Sequence, residues 1–153
     1  MSSDTSLSNL ETHLGYWLRT VSNAVSYSFS RTLETEGVTV AEWVFMRILY
    51  DFDSLPPTLL AERMGMTKGA ITKLADRLIE KNLVERQANP ADKRAQTLAL
   101  KPDGRSLIPR LVALADDNDN AFFGVLEDSE RNELKRLLRK IIERRGLTDV
   151  PTD

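Results

Sequence analysis

Apolar residues at Leu10, Leu14, Trp17, Leu18, Val21, Val25, Phe29 and Leu33 recur in steps of three and four, which predicts one long amphipathic helix from Leu7 to Glu36. Gly37 closes it, because glycine enters the left-handed conformation of a helix end without a Cβ penalty. Thr39 and Glu42 have capping-box spacing, each side chain able to reach the other's amide. They open a second helix, Val40 to Tyr50, whose apolar residues cover most of its circumference and imply burial on more than one side. Pro56-Pro57 precedes a short third helix, Thr58 to Met64, stopped by Gly65. Thr67 caps a fourth, Lys68 to Asn82, with Ile71, Leu74, Ala75, Leu78 and Ile79 on its apolar side.

There the period changes. Leu83 to Gln87 and Gln96 to Leu100 carry strand patterns and flank the turn-forming segment Ala88 to Arg94, a β-hairpin with a charged tip. Pro102-Asp103-Gly104 opens a fifth helix with apolar positions from Leu107 to Val125, which Pro109 is expected to kink. The polar run Asp116 to Asn120 does not suit a buried helix, and periodicity leaves it unexplained. A sixth helix starts near Asp128 and ends before Gly146.

At 153 residues the chain is about one domain long. It has no Cys and a single His, which removes disulfides, thiolate metal sites and thiol-based peroxide sensing. No nucleophile–base pair, phosphate loop or metal cluster is visible, so neither an enzyme nor a cofactor is expected. No basic leader is present and no apolar run approaches the ~18 residues of a membrane span. The expectation is a cytoplasmic protein with no membrane partner.

The net charge of −2 conceals a segregation. Residues 1–62 carry three basic and eight acidic side chains, 63–105 ten and five, and 106–153 eight and ten. The middle third therefore points to an anionic partner, although cations on ordinary solvated faces would give the same count.

Within that third, Ala61, Gly65, Ile71 and Leu74 meet the needs of a helix-turn-helix: a small residue where the helices cross, Gly in the turn, apolar residues inside the second helix. The outer face of that second helix is Thr67, Lys68, Ala70, Thr72, Lys73, Asp76 and Arg77. Lys and Arg there suit phosphates, and Thr or Ala suit base edges and thymine methyls. The hairpin that follows completes the order of a winged helix, with Arg86, Lys93 and Arg94 on or near the wing. Asp92 is expected to pair with a cation and hold the loop's shape; the alternative is a plain turn former.

The sequence resembles the MarR (multiple antibiotic resistance regulator) family of bacterial winged-helix transcription factors over nearly its whole length. The likeness rests on Leu60 to Gly65, on Thr67 to Arg77 and its ending Ala75-Asp76-Arg77-Leu78, on Leu83-Val84-Glu85-Arg86, on Asp92-Lys93-Arg94, and on Leu100 to Arg105. Where the family commonly has Ser or Thr after the wing Arg, this chain has Ala95.

The resemblance implies a single domain, mainly α with a small β-hairpin wing. Residues 40–101 would form the winged helix-turn-helix lobe, and 7–36 with 102–146 the dimerisation helices. It implies a homodimer on a pseudo-palindromic operator in double-stranded DNA, acting as a repressor. The long apolar stripes of the first and last helices independently imply a partner.

Family members often bind small aromatic anions between the dimer helices and the DNA-binding lobe. His13, Trp17, Arg19, Trp43 and Arg47 offer aromatic walls and cations for a small aromatic carboxylate. The alternatives are that both Trp are core, that His13 caps a helix and that Arg19 pairs with Glu11 or Glu42. A competing function is an effector-independent architectural or protein-interaction module.

Overall fold

The computed structural model describes residues 6–89 and 91–148, and only the backbone at 93 and 94. Six helices and one hairpin follow in order: α1 (Leu14–Glu34), α2 (Val40–Tyr50), α3 (Pro57–Met64), α4 (Lys68–Glu80), β1 (Val84–Asn89), β2 (Asp92–Leu100), α5 (Pro102–Phe123) and α6 (Asp128–Arg145). The mainly helical architecture with a small β-hairpin is the one the sequence predicts.

The chain-terminal ends of the elements differ from expectation. The first helix does not begin at Leu7: a 3-10 turn, Leu10–Thr12, is separated from α1 by His13 in extended conformation. The Thr12 hydroxyl donates to the Asn9 carbonyl at 2.6 Å and the Trp17 indole N–H to the Glu11 carbonyl at 2.7 Å, so side chains replace the helical ladder there. The fourth helix stops at Glu80 because Asn82 takes φ +63°. Its amide bridges the turn to the next junction, accepting from Lys101 Nζ at 2.6 Å and donating to Asp103 at 3.1 Å. The strands run further toward the hairpin tip than the sequence pattern indicates.

Local signals are realised closely elsewhere. At Gly37 (φ +76°) the Gly37 N–H donates to Glu34 and the Val38 N–H to Leu33, the paired bonds that end a helix in a left-handed residue. Thr39 and Glu42 form the reciprocal capping box at 3.0 and 3.1 Å. The run Asp116 to Asn120 stays helical because its aspartates face solvent, while Asn118 turns inward and donates to the Val25 carbonyl of α1 at 3.2 Å.

The core lies in the middle of the chain. Phe45, Met46, Leu49, Leu60, Ile71 and Leu78 are fully buried, and Leu33 of α1 and Ile108 and Leu111 of α5 plug into the same cluster. Beneath it Glu42, 1% exposed, accepts from Lys81 Nζ at 2.8 and 3.0 Å, and Lys81 also donates to the Gly37 carbonyl at 2.7 Å. This clasp ties the α1–α2 junction to the end of α4. It satisfies a carboxylate that would otherwise be costly to bury, and it excludes Glu42 as the partner of Arg19. Among the described residues no helix is long and apolar enough to cross a membrane.

The exposed large hydrophobics have a different address. They are Leu7, Leu10, Leu14, Tyr16, Trp17, Leu18, Val21 and Tyr27 at one end and Val125, Leu137, Ile141, Ile142 and Leu147 at the other. Among the described residues none lies between 28 and 124, so the lobe is closed there and the terminal helices are not.

Candidate nucleic-acid interface

The candidate surface is built on the turn between α3 and α4. Gly65 takes φ +62°, and the Met66 N–H returns to the Ala61 carbonyl at 3.0 Å, so the chain reverses within two residues. Thr67 then caps α4 by accepting from the Ala70 N–H at 3.1 Å. Ala61, Ile71 and Leu74 are buried at the crossing, which fixes the rotation of α4 about its axis. Its opposite face is thereby turned outward.

On that face Thr67, Lys68, Thr72, Lys73 and Arg77 are exposed and Ala70 is half-buried. Lys68, Lys73 and Arg77 make no ion pair among the described residues. Thr72 donates its hydroxyl hydrogen to the Lys68 carbonyl at 3.0 Å, which leaves its oxygen an acceptor for a base amino group. Three cations without ion-pair partners among the described residues, beside hydroxyl and methyl groups, are an arrangement suited to phosphate and base-edge contacts together.

Beside α4 stands the hairpin, antiparallel, with Val84 opposite Leu100 and Arg86 opposite Leu98. Leu55 extends it by an antiparallel bridge to Leu98, with bonds of 2.9 and 2.8 Å in the two directions. Arg86 lies on this wing, but its guanidinium meets Asp76 of α4 at 2.5 Å. Arg86, expected to be a DNA contact from its place on the wing, is thus engaged by a carboxylate of α4, a pairing that ten residues' separation gives no spacing rule for. Asp92 opens β2 opposite Asn89, where the hairpin turns. The side chains of Lys93 and Arg94 lie outside the described residues.

The five residues expected around an effector do not come together within one chain. Trp43 of α2 packs edge-on against Phe29, ring centroids 6.3 Å apart, and Arg47 pairs with Asp51 at 3.1 Å and stacks over Tyr50. Trp17 and Arg19 lie in the first turns of α1, and His13 just precedes it. Phe29 is twelve residues beyond Trp17, about 18 Å along a helix axis. Trp17 is half exposed and packs against Tyr16. The Arg47–Asp51 pair, four residues apart, was legible as a helical ion pair.

Comparison with known proteins gives this geometry its relatives. The profile of the MarR family matches residues 38–95, the stretch from the capping box to the wing. The transcriptional regulatory protein assigned to the hcr operon of Thauera aromatica is 31% identical over 129 residues, 84% of this chain and 78% of that one. The chain belongs to the MarR family. Its fold is shared with a mutant MarR from Escherichia coli complexed with operator DNA, at a TM-score of 0.75 and 25% identity over 84% of this chain and 93% of that one. It is shared equally with BpsR of Bordetella bronchiseptica, whose DNA binding is regulated by 6-hydroxynicotinic acid, at a TM-score of 0.76 and 25% identity over 89% and 97%. This MarR-family protein is thus a winged-helix member of a group of transcriptional regulators.

Proposed function

We propose that the protein is a homodimeric, sequence-specific repressor that binds a pseudo-palindromic operator through α4 and the wing. The observation that carries this is the outer face of α4: Lys68, Lys73 and Arg77 without ion-pair partners among the described residues, beside Thr67, Ala70 and Thr72, on a helix whose rotation the core fixes. Thr72 and Ala70 meet base edges, the three cations meet phosphates, and Lys93 and Arg94 of the wing reach the flanking backbone. Two such lobes read successive major grooves about 34–36 Å apart. The division of labour, residues 40–101 for DNA and 7–36 with 102–146 for the dimer, is supported by the confinement of exposed apolar residues to the two chain ends.

Lys73→Ala is the direct test. It is expected to weaken binding to every duplex by a similar factor and to lower the slope of log affinity against log salt by about one. A slope equal to that of the unaltered protein would place Lys73 away from the backbone.

The effector is a small aromatic anion that lowers operator affinity. Support comes from the aromatic pair Phe29–Trp43 with Arg47 near by, and from the action of 6-hydroxynicotinic acid on BpsR. His13, Trp17 and Arg19 would join these residues only across the dimer seam.

A further inference from the structure

Asp76 sits where a carboxylate is least welcome. It lies one turn beyond Thr72 on the outer ridge of α4, with its side chain 60% exposed, on the face that meets a polyanion. Its partner, Arg86, stands at the register position opposite Leu98. Leu98 is the residue that Leu55 anchors to the lobe by two backbone hydrogen bonds. The 2.5 Å contact therefore joins the recognition helix to a point of the hairpin whose facing residue, Leu98, is anchored to the lobe by Leu55. From there the hairpin runs three to six residues further to its tip, about 10–20 Å at strand rise. A rotation of about 10° at the anchor moves such a tip by roughly 2–3.5 Å, several times the roughly 0.5 Å range over which a hydrogen bond keeps its length.

We infer that Asp76 and Arg86 are a positioning pair that sets the angle between recognition helix and wing, and that Arg86 acts through Asp76 and not on phosphate. The inference rests on the DNA-binding reading above and adds to it the residues that hold its two contact elements in one geometry. An exposed pair of this kind adds little to stability, so its removal leaves a folded protein whose two elements are less well aligned. The specific complex, which needs both elements in register, suffers; loose binding to arbitrary duplex does not.

The test uses the full-length protein, its Asp76→Asn and Arg86→Gln variants and the double variant. Each is titrated at several salt concentrations against a duplex that the unaltered protein selects from a random pool and against a random-sequence duplex. Each single variant is expected to lower affinity for the selected duplex about tenfold, and the double variant no further, as for residues acting as one unit. Salt slopes, affinity for random duplex and melting temperature stay those of the unaltered protein.

Four results overturn the inference: Arg86→Gln lowers the salt slope by about one on both duplexes, Asp76→Asn tightens binding, the two losses multiply in the double variant, or neither variant changes affinity. If the unaltered protein selects no duplex, the DNA-binding reading itself fails and the positioning role falls with it.

Discussion

Ile141→Arg is expected to convert the proposed homodimer to a monomer and to lower its operator affinity by about 10²–10⁴-fold, the gain that linking two binding modules ordinarily supplies. Ile141 is 52% exposed in the single chain, within a stripe that includes Leu137 and Ile142. An arginine there meets water in a monomer and costs little. In a dimer whose seam covers the stripe it is an unpaired charge in an apolar contact. The lobe core contains no residue of α6, so the winged helix should stay folded and a single lobe should still bind random duplex weakly. Sedimentation equilibrium and duplex titration read both effects. A dimer of undiminished affinity would place the seam elsewhere.

Gly104→Ala is expected to cost about 3 kcal/mol of stability, the upper part of the range for overpacking a core, and to lower the melting temperature by roughly 6–12 °C. Gly104 is buried in the first turn of α5, and a Cβ built there falls 2.2 Å from the Leu83 carbonyl oxygen and 3.2 Å from Leu100 Cδ2. The first neighbour is backbone, and the same oxygen accepts from the Lys101 N–H at 2.9 Å, so it cannot retreat without breaking the strand-to-helix junction. By contrast, a Cβ at Gly69 on the exposed face of α4 meets nothing within 4 Å. Thermal unfolding of the Gly104→Ala and Gly69→Ala proteins compares the two; equal melting temperatures would contradict the packing account.

What was legible in the sequence is what neighbouring residues decide among themselves. The Thr39–Glu42 box, the Gly37 and Gly65 turns and the Thr67 cap each lie within a few positions, and each occurs in the structure; the strand expected at Thr97 to Leu100 also forms, but without the alternation of its pattern, since all four residues are buried. The first helix was drawn too long because Leu7 and Leu10 continue its period, although both are exposed and His13 interrupts the ladder. Helical periodicity extends the fourth helix through Asn82, although asparagine is, after glycine, the residue that most readily takes the left-handed conformation at a helix end; at φ +63° it closes α4 with the Asn82 N–H on Ile79 and the Leu83 N–H on Leu78, and its side chain bonds Lys101 and Asp103.

Contacts between distant segments were hidden for a different reason. Glu42 meets Lys81 across 39 residues and Arg110 meets Glu36 across 74, and no spacing rule relates such pairs. The Glu36 carboxylate, through its hydrogen bond first and its charge second, raises the Arg110 pKa above its ordinary value. The candidate DNA-facing residues of α4 were found because a helix-turn-helix fixes inside and outside by period. Within a single chain the effector candidates lie on two surfaces, Trp43 and Arg47 on α2 and His13, Trp17 and Arg19 at the start of α1, because no period relates residues of different helices.

The central claim is sequence-specific recognition by a two-lobed protein, and selection of bound fragments from a random duplex pool tests it most directly. The account predicts enrichment of a pseudo-palindrome whose half-sites lie one helical turn apart, bound about 10³–10⁷ times more tightly than random duplex at physiological salt. A pool that emerges without any enriched motif would contradict it.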